Sequence, residues 1–176
     1  MTVLGLLAIC LGATSGKSCS ISDFLKGDSS NSDDPPFVTE LTLVNSAGEN
    51  TDTFDFGETI EMQLTVRNRL TTTAEAQFST TRTSDFVVVN DNSSTVLWKW
   101  STNQPTAGTT PTTLTFEPGE TKTFTVDWNQ LGDSGIATNP GTYEARGVLV
   151  YDGFDTNPLQ TNNMGSSPKQ FTIRSP

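Results

Sequence analysis

Histidine is absent from this chain of 176 residues. Serine and cysteine nucleophiles usually depend on a histidine base, so this absence excludes Ser-His-Asp and Cys-His catalysis. The only two cysteines, Cys10 and Cys19, both lie near the N-terminus. The rest of the chain therefore lacks the nitrogen and sulfur ligands that zinc prefers. We expect a protein without enzyme activity, with no catalytic residues, no metal site and no cofactor.

Positive charge is also scarce. Ten Lys and Arg residues stand against 20 Asp and Glu residues, which gives a net charge of −10. Nucleic-acid binding requires clusters of basic side chains that neutralise phosphates. We therefore expect no nucleic-acid partner. The simplest interpretation of the acidic surface is that it keeps the protein soluble.

Only one long apolar run occurs, at residues 3–13, with the sequence V-L-G-L-L-A-I-C-L-G-A. It is shorter than the roughly 20 residues that a helix needs to cross a bilayer. Its length and the small residues after it are typical of an export signal. Cys19, at the end of this segment, is the first candidate for lipid attachment, and Cys10 is the second. A cleaved signal without lipid and a cytoplasmic chain remain alternatives.

Residues 20–36 are polar and acidic and end in two prolines. Such a segment cannot bury enough apolar surface to offset the entropy lost on ordering, so we interpret it as a flexible tether. The predicted organisation is a signal or lipoprotein-like segment at 1–19, a tether at 20–36 and one folded domain at 37–176. This organisation predicts an exported monomer at a bacterial or archaeal cell envelope, in contact with the membrane only through an N-terminal lipid.

Strict alternation of apolar and polar residues dominates the folded domain. It is clearest where Ile60, Met62, Leu64 and Val66 alternate with polar residues, which predicts a strand with one buried face. Shorter segments repeat the pattern and are separated by turns such as E-P-G-E at 117–120 and N-P-G at 139–141. The pattern predicts an all-β fold, an immunoglobulin-like antiparallel β-sandwich of about eight or nine strands without a long helix.

The three tryptophans fall within this alternation, at positions 98, 100 and 128. Val96, Trp98 and Trp100 share one face of a predicted strand, and the alternation favours Trp98, Trp100 and Trp128 as core residues. The alternative is a flat aromatic surface that binds a sugar, as in a carbohydrate-binding module.

Acidic residues occur at two candidate sites. Asp85 precedes Phe86 at a strand start and is interpreted as a hydrogen-bond acceptor rather than an acid catalyst. Asp152, Asp155 and Asn157 share a loop with two further asparagines, an oxygen-rich composition that calcium would accept. The spacing of a known calcium loop is missing, so a solvated acidic loop is the favoured interpretation.

Residues 56–149 carry motifs that resemble the BsuPI-type intracellular proteinase inhibitor domain. The similar segments are F-G-E followed by I-E-M-Q-L-T-V-R-N (56–58 and 60–68), S-D-F-V-V (84–88), V-L-W-K-W-S (96–101), E-P-G-E-T (117–121), Trp128 and P-G-T-Y (140–143). The resemblance implies an immunoglobulin-like fold and a protein partner, a serine protease in the first instance. A structural or adhesive surface module without inhibitory activity is the competing hypothesis.

Long loops on a rigid sandwich are the expected place for such binding. The two longest predicted loops are residues 101–111 and 152–168. The candidate binding residues in them are Thr102, Asn103, Gln104, Pro105, Thr106, Asp155 and Asn157. Within the first loop, Pro105 and Pro111 restrict the backbone, whereas Gly108 is expected to loosen it.

Overall fold

Ten strands and one short 3-10 helix make up the part of the chain that the computed structural model describes, residues 35–91, 93, 95–152 and 164–176. The 3-10 helix is Trp100–Asn103. The strands are β1 Phe37–Val44, β2 Thr53–Asp55, β3 Ile60–Asn68, β4 Ala74–Phe78, β5 Ser84–Asn90, β6 Val96–Lys99, β7 Thr112–Phe116, β8 Thr121–Trp128, β9 Gly141–Leu149 and β10 Lys169–Arg174. Within these ranges no helix is long and apolar enough to cross a membrane. Cys10, Cys19 and nearly all of the predicted tether lie outside the described residues.

Two main sheets form the domain, with strand orders β1-β3-β8 and β2-β10-β9-β5-β6. This arrangement matches the A-B-E and G-F-C sheets of the immunoglobulin fold, so the predicted β-sandwich is confirmed. The described part contains ten strands instead of eight or nine, because the three residues of β2 form a strand of their own. β2 pairs with β10 in parallel, whereas the other strand pairs are antiparallel.

The core lies between these sheets. Met62, Leu64 and Val66 of β3 are fully buried, as their alternation predicts. Gly147 of β9 faces Leu64 so closely that a Cβ atom on residue 147 would lie 3.0 Å from Leu64 Cδ1. A glycine therefore lets the two sheets approach each other without displacing the Leu64 side chain.

Trp98 and Trp128 are core residues, which confirms the prediction for both. They are 7% and 1% exposed, and their ring centroids lie 6.0 Å apart. Trp100 is half-buried at the start of the 3-10 helix. The prediction that Val96 shares one strand face with Trp98 and Trp100 is wrong, because Val96 is 38% exposed. The register of β5 and β6 shifts between Val88 and Val89, which interrupts the alternation that the sequence suggested.

Tyr143 provides a feature typical of immunoglobulin-like sandwiches. It lies near the start of β9, and its hydroxyl donates to the backbone carbonyl of Asn139, four residues upstream. This geometry is the tyrosine corner of such domains. A phenol is protonated at neutral pH and can donate, and burial raises the pKa of Tyr143 further.

Asn68 fixes a bend between two strand pairs. The antiparallel pair β3–β8 ends there and continues beyond the bend as the pair β4–β7. The buried Nδ2 of Asn68 lies 2.9 Å from the carbonyl oxygen of Thr72, 3.0 Å from that of Phe116 and 3.1 Å from that of Glu117, while Oδ1 accepts from Leu70 N. One side chain thus satisfies backbone groups on both sides of the bend.

Replacing Asn68 with Ala should lower the free energy of unfolding by about 2–3 kcal/mol, because several buried backbone groups lose their partner. Urea denaturation of the full chain measures this change. Asn45→Ala is the matched control, because Asn45 also caps a turn but is only half-buried, and its hydrogen bonds are exposed. Equal losses in the two variants would show that the Asn68 contacts are not essential to the bend.

Candidate functional site

Three loops meet at one end of the sandwich: residues 79–83 between β4 and β5, residues 100–111 between β6 and β7, and residues 150–152 after β9. We call these residues the three-loop end. Val150 N donates to Thr83 O at 2.9 Å, and the Ser79 hydroxyl donates to the carboxylate of Asp152 at 2.8 Å. In variable immunoglobulin domains, the loops in the corresponding positions form the binding surface.

Asp85 anchors the first part of the loop 100–111. It lies on β5 and is 5% exposed. Its Oδ1 accepts from Ser101 N at 3.1 Å, and its Oδ2 accepts from the Ser101 hydroxyl at 2.7 Å. Lys99 Nζ lies 3.5 Å from the same carboxylate. The interpretation of Asp85 as a hydrogen-bond acceptor is therefore confirmed, and its position fixes where the loop leaves β6.

Thr81 anchors the later part of the same loop. Thr81 N donates to Gly108 O at 3.0 Å, and Gly108 N donates to Thr81 Oγ1 at 3.0 Å. A Cβ atom on residue 108 would lie 3.2 Å from Thr81 Cγ2, so the glycine permits this close contact. The expectation that Gly108 loosens the loop is wrong, because these two hydrogen bonds hold it in place.

Four of the predicted binding residues are exposed between these anchors: Thr102, Gln104, Pro105 and Thr106. The backbone of Gln104 is extended, with φ −102° and ψ 153°. Asn103 belongs to the 3-10 helix by its backbone. Residues 102–107, which we call the contact loop, therefore present exposed side chains at 102 and 104–106 on a segment that is fixed at both ends.

Two grooves flank the contact loop. A groove of about 550 Å³ lies between Trp100 and Gln104 on one side and Asp127 and Asn129 on the other. A smaller one of about 240 Å³ separates Gln104 from Arg82. The guanidinium carbon of Arg82 lies 6.0 Å from the centroid of the Trp100 ring, a cation–π distance. The loop is thus bordered by an aromatic ring and by charges of both signs.

The second predicted loop is fixed against β9 at its base. Leu149 N donates to the carbonyl of buried Met164 at 3.1 Å, and Ser166 N donates to Gly147 O at 2.8 Å. The candidate residues Asp155 and Asn157 lie outside the described residues. Asp152, the first member of the acidic group, accepts from the Ser79 hydroxyl, which lies 2.8 Å and 2.9 Å from its two carboxylate oxygens. Across the ranges described, no cluster of three acidic, histidine or cysteine side chains could hold a metal ion.

The alternative of a flat aromatic surface that binds a sugar requires tryptophans that reach the protein surface. Trp128 does not, since it is 1% exposed between the sheets. Trp98 and Trp100 both line the larger groove, but Trp98 is only 7% exposed, and Arg82 lies beside the ring of Trp100. A flat surface of several rings is therefore not formed by these three residues.

A family model described as BsuPI, intracellular proteinase inhibitor, matches residues 48–153. The chain belongs to this family. The matched range contains all the segments that resemble this family, and it contains Asp85 and Thr81, the two anchors of the contact loop. A BsuPI proteinase inhibitor domain is therefore present, and its family implies a proteinase as partner. A sequence search among curated proteins gives no match.

Several solved structures are similar in shape at low identity. The CARDB domain of a Pyrococcus furiosus protein is 14% identical, with a TM-score of 0.40 over 78% of this chain and 93% of that one. A β-glucosidase from Erythrobacter marinus is 11% identical, with a TM-score of 0.43 over 78% of this chain and 15% of the enzyme. A Pseudomonas fluorescens alkylpurine DNA glycosylase is 9% identical, with a TM-score of 0.44 over 77% and 30%. These likenesses carry no information about the activity of this BsuPI domain.

Sequence reasoning missed the contribution of residues 79–83. Ser79, Thr81, Arg82 and Thr83 all contact one of the other two loops. The segment S-T-T-R-T is a short polar connection with no apolar periodicity. The only indication in the sequence that this segment contributes to the site is its position directly before the S-D-F motif of the family.

Proposed function

We propose that this BsuPI domain inhibits a serine proteinase by binding, without catalysis of its own, through the contact loop. The observation that carries the proposal is the fixing of this loop at both ends, by Asp85 on one side and Thr81 on the other. A loop that is ordered before binding loses little conformational entropy when it enters a partner.

The composition of the contact loop supports the same conclusion. Pro105 restricts the backbone directly after the extended Gln104. The remaining exposed side chains of Thr102 and Thr106 are short and polar. From Gln104 onward, beyond the 3-10 helix, such a segment fits the narrow cleft of a proteinase, and the anchors of the contact loop oppose the rearrangement that cleavage would require.

The test is a titration of the purified full chain against a panel of serine proteinases, with residual activity and integrity of the chain followed together. We expect one proteinase to lose its activity at about one equivalent while the chain remains intact. Full activity of every proteinase at micromolar chain would refute inhibition, and the structural or adhesive surface module would replace it.

We propose further that the domain is exported and anchored at the cell envelope by lipid on Cys19. The support is the order of the N-terminal segments, in which an apolar run and small residues precede Cys19 and a polar, acidic stretch follows. The family description, by contrast, is of an intracellular inhibitor.

Labelling cells with a radioactive fatty acid tests the anchor. Label should appear in the wild-type chain and in Cys10→Ser, and it should disappear in Cys19→Ser. Label lost only in Cys10→Ser would move the anchor to Cys10. A wild-type chain without label would contradict lipid attachment and leave a cleaved signal or a cytoplasmic chain.

A further inference from the structure

Strand β8 is an edge strand with one side free. Among the described residues it pairs with β3 only, along all eight of its positions. Long edges normally carry protection, because they present a row of unpaired backbone groups. The edges of the five-stranded sheet are covered or short, since Asp133 N donates to Leu97 O of β6 at 2.8 Å and β2 has three residues. β1, the other eight-residue edge, is covered at one end, where Thr51 N donates to Leu43 O at 3.1 Å. β8 differs from β1 because it borders the groove beside the contact loop.

The register identifies which backbone groups point outward. Asn68 N donates to Glu120 O, directly opposite it, and hydrogen-bonded pairs alternate along an antiparallel ladder. Residues 122, 124, 126 and 128 therefore face the backbone of β3. Thr121, Thr123, Thr125 and Asp127 direct their N–H and C=O groups to the open side.

The side chains of β8 also leave room for a further strand. Phe124 and Val126 are only partly buried, whereas Leu64 and Met62, opposite them on β3, are fully buried. An added strand would cover the exposed parts of Phe124 and Val126 with apolar residues at alternate positions.

Charge defines one position of that added strand. Asp127 lies directly opposite Glu61 of β3, and like charges in opposed positions destabilise a sheet. At the other end of β8, Lys122 is already paired with Glu120 at 2.6 Å. A basic side chain opposite Asp127 would relieve the repulsion between the two carboxylates.

We propose that the open edge of β8 binds an extended segment of another protein, with apolar residues at alternate positions and a Lys or Arg opposite Asp127. A second copy of this chain is a poor occupant, because a net charge of −10 on each copy opposes their association. Asp127 and Gln104 line the same groove, so the bound strand would lie beside the contact loop. Binding at this edge does not depend on the inhibition proposed above.

The probe is a synthetic octapeptide that alternates valine and threonine and carries one lysine at the position expected opposite Asp127. Amide NMR spectra of the full chain are recorded as the peptide is added to millimolar concentration. The amides of Thr121, Thr123, Thr125 and Asp127 should shift, and a peptide with glutamate in place of lysine should bind roughly fivefold more weakly. No shift along β8, or shifts confined to other strands, would overturn the proposal.

Two variants separate backbone pairing from side-chain contact. Thr125→Pro removes one outward N–H and should weaken binding of the lysine peptide roughly tenfold. Thr125→Val keeps the N–H and should bind the peptide as tightly as the wild type does. Should the proline variant fail to fold, Asp127→Lys provides the second test, since it should reverse the preference between the two peptides. Unchanged binding in a folded Thr125→Pro chain, or an unchanged preference in Asp127→Lys, would overturn the assignment.

Sedimentation of the full chain without peptide tests the other occupant. A mass of 18.9 kDa at all concentrations, that of a monomer, is the expected result if the edge of β8 binds a different protein. A dimer that Thr125→Pro abolishes would overturn the proposal and make a second copy the occupant.

Discussion

Replacing Trp128 with Ala should lower the free energy of unfolding by about 3–5 kcal/mol, the range found for buried aromatic residues. The ring is 1% exposed and contacts two further rings, Trp98 at 6.0 Å and Phe171 at 6.1 Å between centroids. Its Nε1 donates to Leu131 O at 2.8 Å, so the substitution also leaves a backbone carbonyl without its partner. Urea denaturation of the full chain gives the free energy directly.

The matched control is Trp100→Ala, the same substitution at a half-buried ring. It should cost less, about 1–2 kcal/mol, because a smaller apolar area is removed from contact. A loss below about 1 kcal/mol for Trp128→Ala would contradict the packing of the two sheets around this ring.

Replacing Asp85 with Ala should weaken proteinase inhibition roughly hundredfold, because the contact loop loses its anchor at Ser101 and must be ordered during binding. The side chain accepts hydrogen bonds from Ser101 N, the Ser101 hydroxyl and Phe86 N. Asp85 is thus a positioning residue. The inhibition constant is measured at a temperature at which circular dichroism shows the variant to be folded.

Glu58→Ala is the control for this variant. Its carboxylate likewise accepts from backbone and hydroxyl groups, at Asp55 and Ser46, but in the turns next to β2. We expect its inhibition constant to equal that of the wild type. A second readout is cleavage: the proteinase should cut Asp85→Ala within residues 102–107 while the wild-type chain stays intact. Equal inhibition by Asp85→Ala and wild type would show that the anchor has no part in binding.

The regular parts of the fold could be predicted from the sequence because they depend on local periodicity. The alternation of β3 and the apolar positions of Trp98 and Trp128 translate directly into burial. Local periodicity failed at Val96, where a register shift in the pairing with β5 exposes the side chain. It also gave no indication of β2, whose three residues become a strand only by pairing with β10, more than a hundred residues later.

The candidate site was harder to predict, because distant residues create it. Asp85 and Ser101 are 16 positions apart, and Thr81 and Gly108 are 27 apart. Neither pair follows a motif that a single sequence can reveal. The sequence identified residues 102–106 as an exposed loop but could not show that Gly108 is held by Thr81. The structure therefore changes the interpretation of Gly108 from a residue that loosens this loop to one that is held by two hydrogen bonds.

The most direct test of the account is an exchange of the contact loop, residues 102–107, for a Gly-Ser linker of equal length. A proteinase that the wild-type chain inhibits is titrated with both proteins, and residual activity is measured after circular dichroism has confirmed the fold. A third chain with the same exchange at residues 46–49, in the turn after β1, serves as control. We expect full inhibition by the wild type and the control, and full residual activity with the contact-loop exchange. Inhibition that survives the exchange of residues 102–107 would contradict the account and place the proteinase contact elsewhere on the domain.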